Sequence, residues 1–289
     1  MTKLAIIGPG LLGGSLALAA QRLGRFQVQL WARRETAAEE LRALRIADRV
    51  STKLEEVCND ADLAVFCVPV GAMPALASEV ARFLPAGALV TDVGSVKAQL
   101  VSELSAIFGE RCHFVGSHPM AGSEQTGVQA ARKDLFDDAV CIVTPEQRSN
   151  PGAVLAVRTF WEQMGCTVRM LAPDEHDEVV ALVSHLPHLT AAALVNTVTA
   201  HHARALAFSG PGFRDSTRVA GGAPAMWTEI MASNREPLRK SAEAMIEKLK
   251  EFITLLDLDR DHPDRDSRMN DFLTEAKVHR DRLRQPRLK

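Results

Sequence analysis

Residues 3–20 read KLAIIGPGLLGGSLALAA, and the fold turns on how that stretch is parsed. Lys3 to Ile7 is a short apolar run cut off by glycine, the pattern of a buried strand. Leu11 to Leu23 (LLGGSLALAAQRL) continues as an apolar helix with a small-residue start. Between them lies Gly8-Pro9-Gly10-Leu11-Leu12-Gly13. A GxGxxG spacing is weak evidence alone, but between a strand and a helix it sits in the context that a dinucleotide-binding turn requires. Gly8 permits the tight turn, Gly10 lets backbone approach a pyrophosphate, and Gly13 lets helix and strand pack closely. The helix N-terminus then faces the negative charge.

The same alternation runs outward. Gln27 to Trp31 reads as a second strand, Ala61 to Val68 as a third ending at Pro69, and Ala88 to Asp92 as a fourth. His113 to Val115 and Ala139 to Thr144 add two more, with helical patterns over Met73 to Phe83 and Lys97 to Phe108 between them. That rhythm predicts an α/β fold, a Rossmann-type doubly wound parallel sheet with helices on both faces. After Pro145 come a helix over Asn150 to Met164 and a last strand over Thr167 to Met170. From Pro173 the chain reads as helical, with Glu175 to Ala200 interrupted near Pro187 and Met226 to Leu256 carrying apolar positions at helical spacing. The expectation is a dinucleotide-binding domain over residues 1–172 and an all-helical domain over residues 173–289. The stretch GSHPMAGSE (116–124) has neither period and reads as a loop.

Composition narrows the function. Within 289 residues, 34 basic and 36 acidic side chains give a formal charge of −2, so no global basic field points to nucleic acid or an anionic membrane. No leader-like apolar region opens the chain, and no run of ~20 uninterrupted apolar residues follows. Five cysteines without CxxC spacing read as buried thiols in a reducing compartment. These features predict a cytoplasmic enzyme whose partners are small molecules or a second copy of itself.

The cofactor end is read from Gly8, Gly10, Leu11, Leu12 and Gly13, with Val68 and Pro69 at the end of the third strand. A carboxylate after the second strand would hold a ribose hydroxyl, whereas arginine there accommodates a 2'-phosphate. Here that strand ends in Ala32-Arg33-Arg34, with no acid until Glu35. The pair favours NADP over NAD, although two solvated arginines on a turn would look the same. Loops at the carboxyl ends of parallel strands line the ligand crevice, which brings Ser95 of DVGSVK and His118 of GSHP toward one cofactor. A histidine titrating near neutrality is a natural base for a hydroxyl proton. His185 and His188 stand at i, i+3, but Pro187 distorts their helix and no third ligand is placed nearby. A metal is therefore not expected, and hydrogen bonds to substrate are. The forked donors of Arg218 suit a carboxylate.

Taken together, GPGLLGGS, DVGSVK, GSHPMAGSEQTGV, SHLPH and GFRDSTRVAGGAPAMW resemble the prephenate and arogenate dehydrogenases of tyrosine biosynthesis, over about Lys3 to Phe252. The resemblance implies a Rossmann domain followed by a helical domain that forms a homodimer, with substrate between the domains. It implies that His118 is the catalytic residue on the ring hydroxyl and Ser95 its helper beside the nicotinamide. His188 and Arg218 would contact substrate, the arginine through a carboxylate, with His185 and Trp227 close by. Glu124, Asp177 and Arg214 fall where the family places charged groups that gate the cleft. The implied chemistry is oxidative decarboxylation: His118 withdraws the hydroxyl proton, hydride leaves the same carbon, and loss of the ring carboxylate aromatises the product. The charged tail leaves no room for the regulatory domain of some relatives, so feedback by tyrosine is expected at the active site. Prephenate is favoured over arogenate as substrate. A β-hydroxyacid dehydrogenase would need a helical lysine not found in the matching context, and a dinucleotide-sensing protein would have no use for this set of histidines.

Overall fold

The computed structural model describes residues 1–123, 125–202, 204–259 and 262–283. Its centre is a six-stranded parallel sheet of β1 (Thr2–Ile7), β2 (Phe26–Trp31), β3 (Arg49–Ser51), β4 (Leu63–Phe66), β5 (Leu89–Asp92) and β6 (His113–Phe114), in the order β3-β2-β1-β4-β5-β6. Helices α1 (Leu11–Leu23), α2 (Glu35–Leu44), α3 (Leu54–Cys58), α4 (Met73–Val80) and α5 (Ala98–Phe108) connect the strands. A strand buried on both faces needs no polar alternation. In β1, Leu4 and Ile6 join the layer of Leu16, Ala20 and Trp161, while Ala5 and Ile7 join that of Met73, Val80 and Leu104. The expected doubly wound architecture is therefore present.

The strand order reverses between β1 and β4, where such sheets bind ligands. Gly8 follows β1 with φ +115°, a left-handed backbone that side chains rarely adopt. A Cβ there would lie 2.7 Å from both the Cys67 carbonyl oxygen and Val68 Cγ1. A Cβ on Gly13 would collide with the Gly8 carbonyl oxygen. The glycine turn is thus closed against the end of β4 by backbone contact.

GSHPMAGSE is not a loop throughout. Gly116–Pro119 forms β7, antiparallel to β8 (Val140–Thr144), which pairs in parallel with β9 (Thr167–Met170); α6 (Pro151–Gln163) links the last two. This second, three-stranded sheet takes the strand expected over Ala139 to Thr144 away from the parallel sheet. The small residues of β7 serve packing: a Cβ on Gly116 would fall 2.5 Å from Thr144 Oγ1 and 2.6 Å from Val101 Cγ2. The Ser117 hydroxyl donates to the Asp92 carbonyl oxygen (2.5 Å) and accepts from Trp161 Nε1 (2.8 Å). Asp92 fastens the region further, its carboxylate accepting from Gly94 N, Ser117 N and Lys97 Nζ at 2.7, 3.0 and 2.6 Å. Lys97 and Asp92 are both fully buried.

Beyond Met170 the chain is helical: α7 (Pro173–Val180), α8 (Leu186–His201), α9 (Pro211–Thr217), α10 (Pro224–Ser233), α11 (Arg235–Leu256) and α12 (Arg265–Arg282). The interruption expected near Pro187 is one turn of π-helix, Ala181–His185, in which Leu186 N–H reaches the Ala181 carbonyl. Proline offers no N–H to continue an α-helical ladder, and the preceding turn widens. The helix expected over Met226 to Leu256 breaks at Asn234. Pro173–His201 is long and apolar enough by length and composition alone to cross a membrane, although polar residues such as Ser184, His188 and Asn196 interrupt its apolar run. By compactness the chain divides into Met1–Pro237 and Leu238–Lys289.

Breaking a buried ion pair from one side leaves the other charge unpaired, at a cost of about 3–5 kcal/mol. Lys97→Met is therefore expected to lower unfolding free energy by about that amount, read from urea unfolding of the two proteins. A loss below about 1 kcal/mol would show that Asp92 does not depend on this lysine.

Candidate active site

At the cofactor end, α1 begins at Gly10 with no side-chain cap and no acid in its first turn. Its first N–H groups have no intrahelical acceptor and carry the positive end of the helix dipole. Nothing lies within 4 Å of a Cβ built on Gly10, whereas the Cβ positions of Gly8 and Gly13 are filled. The open glycine, the uncapped helix start with Leu11 and Leu12, and Val68 and Pro69 at the end of β4 fit a pyrophosphate-bearing dinucleotide. Arg33 and Arg34 are exposed just past β2, and the neighbouring Glu35 is held by Arg42 at 2.6 Å.

The catalytic candidates gather at the carboxyl end of β5 and on β7. Ser95 is half-buried in the loop between Asp92 and Lys97. His118 is 8% exposed, and its Nδ1 lies 2.8 Å from Nε2 of His176, which is fully buried on α7. His176 Nδ1 lies 2.8 Å from Asp177 Oδ1. That carboxylate also accepts from Lys97 N at Oδ1 (2.7 Å) and from Ala98 N at Oδ2 (2.9 Å), capping α5. Asp177, expected as a gate, is thus a buried anchor.

Hydrogen positions follow from this arrangement. A carboxylate taken up by backbone N–H groups is an acceptor, so His176 Nδ1–H donates to it. Burial lowers the pKa of His176 and drives that of His118 well below the usual imidazole range, with His176, Lys97 and His185 adding to the latter effect. With both rings neutral, His176 Nε2 accepts from His118 Nδ1–H, and His118 Nε2 is left with a lone pair.

Asn234, absent from the residues singled out in the sequence, connects this chain to the second pair of histidines. Its Nδ2 donates to the Asp177 backbone oxygen (2.8 Å) and lies 3.1 Å from His185 Nδ1. His185 Nδ1 is therefore an acceptor, and the proton sits on Nε2, which is buried without a partner. Burial lowers the His185 pKa to about 4. His188 stacks on Trp227 with ring centroids 3.6 Å apart and planes 12° from parallel; its Nδ1 is likewise buried and unpartnered. Burial also lowers the pKa of His188. A Cβ on Gly222 would strike Trp227 Nε1 and lie 3.2 Å from His188 Cε1.

The structure thus brings His118, His185, His188 and Trp227 into one connected set. Arg218 is exposed at the start of the 3-10 turn Arg218–Gly221, which runs into Gly222. Arg214 is exposed on α9 and donates to the Ser209 carbonyl at 3.3 Å, outside the histidine cluster. Glu124 lies outside the described residues. Among those residues no group of three His, Cys, Asp or Glu side chains is gathered as for a metal. His176, Asn234, Ser117 and Lys97 escaped sequence reasoning. The one available signal was a histidine inside the acidic run DEHDEVV, which otherwise reads as a solvated helix face.

A family profile described as "Prephenate dehydrogenase, nucleotide-binding domain" matches residues 16–170, and one described as "Prephenate dehydrogenase, dimerization domain" matches residues 172–273. Cyclohexadienyl dehydrogenase of Zymomonas mobilis is 33% identical over 258 residues, 88% of each chain. The crystal structure of prephenate dehydrogenase from A. aeolicus in complex with hydroxyphenyl propionate and NAD+ superposes with a TM-score of 0.89, at 31% identity over 98% of both chains. Synechocystis arogenate dehydrogenase gives 0.83 at 27% identity, over 98% of this chain and 100% of the other.

Four buried histidines with lowered pKa values give stability a sign with pH. The unfolded chain takes up protons as pH drops through about 6.5 while the folded rings resist, so acid favours unfolding. Each ring that stays neutral in the fold is expected to cost about 1.4 kcal/mol per pH unit below that point. Urea midpoints at pH 7.5, 6.5 and 5.5 should show the lower half of this range falling more steeply than the upper. A flat profile would mean that the rings titrate in the fold as they do in the unfolded chain.

Proposed function

The chain belongs to the prephenate dehydrogenase family, and from that premise we propose that it oxidises and decarboxylates prephenate to 4-hydroxyphenylpyruvate. The observation that carries the reading is His118, a neutral ring whose Nδ1 is engaged by His176 and whose Nε2 keeps its lone pair. A general base must hold an empty site for a proton at the working pH, and this one does. When bound at the glycine turn, the dinucleotide supplies a hydride acceptor.

His118 takes the proton of the ring hydroxyl, and Ser95 steadies the same oxygen. Carbon dioxide leaves from the ring carboxylate, and aromatisation of the remaining ring supplies the driving force. The protein's contribution is placement, of which proximity accounts for several of a possible ~7–11 kcal/mol. His188 and Arg218 hold substrate, the arginine by a carboxylate, with Trp227 against His188. Arg214, on the surface of α9, and Glu124 are proposed to bear on substrate entry. His185 offers an N–H at Nε2, which suits a keto or carboxylate oxygen and has nothing to accept from an ammonium. That donor supports prephenate over arogenate.

NADP is the favoured cofactor, because two arginines follow β2 while Glu35 is engaged by Arg42. Residues 1–172 are read as the dinucleotide-binding part and residues 173–289 as the part that completes the substrate site and forms a homodimer. The junction of the two matched family descriptions supports that division.

Purified protein with prephenate or arogenate, each with NADP or NAD, is expected to turn over fastest with prephenate and NADP, followed at the reduced-nicotinamide absorbance. Absence of turnover with all four pairs sinks the enzymatic reading and leaves the dinucleotide-sensing one. His118→Asn is expected to lower kcat on the order of 10²–10⁴-fold with dinucleotide affinity retained. The double change Arg33→Ser, Arg34→Ser should weaken NADP at least about tenfold while leaving NAD near its starting affinity, the signature of a lost phosphate contact. Equal loss for both dinucleotides would deny the arginines that role.

A further inference from the structure

His176 and Asp177 take no part in the chemistry above, yet they are among the most thoroughly buried polar groups of the molecule. We propose that the two are positioning residues: they lock His118 into the tautomer that can act as a base, and Asp177 fastens the Ser95 loop to the same point. This rests on the reading of His118 as the base.

Consider the alternative tautomer. With its proton on Nε2, His118 would present a bare Nδ1 to His176 Nε2 at 2.8 Å, two lone pairs in contact. His176 relieves that only by moving its own proton to Nε2, which then sets its bare Nδ1 against Asp177 Oδ1 at 2.8 Å. Asp177 has no proton to give, because its two oxygens are already committed to Lys97 N–H and Ala98 N–H. The carboxylate therefore excludes the wrong tautomer two rings away.

The chain also suits the charged state. When Nε2 binds the hydroxyl proton, the imidazolium keeps its Nδ1–H shared with His176, and the new positive charge lies in line with the Asp177 carboxylate. No proton needs to pass beyond His118: once hydride and carbon dioxide have left, the base returns to its resting form by giving that single proton back to the phenolate oxygen of the product. Asp177 has a second grip, on the first N–H groups around the start of α5, immediately after Ser95-Val96. One carboxylate from the helical part thereby sets both the ring and the loop of its helper. This logic parallels the carboxylate of a Ser-His-Asp triad, where the acid orients a histidine and fixes its tautomer without itself becoming protonated.

The test reads tautomer and rate separately. Imidazole ¹⁵N NMR of the labelled full-length protein, with His118 assigned by the signal lost in His118→Asn, is expected to show a protonated Nδ1 and a bare Nε2. His176→Phe keeps the ring volume and removes the acceptor; it is expected to mix the His118 tautomers and lower kcat on the order of 10²–10³-fold, with KM and dinucleotide Kd within about threefold. His176→Gln, whose Oε1 accepts from Nδ1–H, should restore kcat at least about tenfold relative to His176→Phe. Three results would each overturn the proposal: a wild-type His118 protonated at Nε2, a His176→Phe enzyme within about threefold of wild-type kcat, or no rescue by glutamine. The wild-type spectrum decides even if a variant fails to fold. It also needs no turnover, so failure of the proposed reaction with prephenate and arogenate is seen independently in the wild-type assay.

Discussion

Everything near the site hangs on the carboxylate of Asp92. Buried at the end of β5, it must be satisfied from within, and it draws Gly94 N, Lys97 Nζ and Ser117 N to itself from three directions. Those bonds shape the loop that carries Ser95, start α5, and bring β7 alongside β5 so that His118 follows Ser117 into place. An unpaired charge in that position would be intolerable, so the geometry of loop, helix and strand is determined together.

The parallel sheet was legible because its signals are local. Apolar runs of strand length end in glycine or proline, and the turn at Gly8 to Gly13 carries its own steric logic. The second sheet was not legible for the complementary reason. Gly116-Ser117-His118-Pro119 has almost no strand propensity, and what makes it a strand is pairing with residues 141–144 and bonds to Asp92 and Trp161. Its small residues look like space left for a ligand; at Gly116 they are space already taken by Thr144 and Val101. Gly122, with nothing near its Cβ position, is the member of that stretch that does leave room.

The histidines divide in the same way. His118, His185 and His188 stand out because they sit in motifs with glycine or proline, while His176 hides among acids. Asp177 was read as a charged gate because the resemblance places charged groups there, but α7 turns it inward onto α5. Asn234 ends a helix, an ordinary place for asparagine, and only the fold reveals that its amide orders two histidine systems at once. Every described member of this network lies within Met1–Pro237. Residues on α7, α8 and α10 therefore belong to the same compact body as the dinucleotide turn.

The stacking of Trp227 on His188 has an optical consequence. The chain has three tryptophans and no tyrosine. Trp31 and Trp161 are buried in the two layers of the parallel sheet, while Trp227 is half-buried with its indole face 3.6 Å from an imidazole. Indole therefore dominates near-ultraviolet emission from this protein, and one of its three sources is in contact with a histidine of the site. Charge on that imidazole, or a molecule seated against it, alters the excited state of Trp227 directly. The molecule thus carries its own fluorophore where events at His188 take place, with no phenol background to subtract.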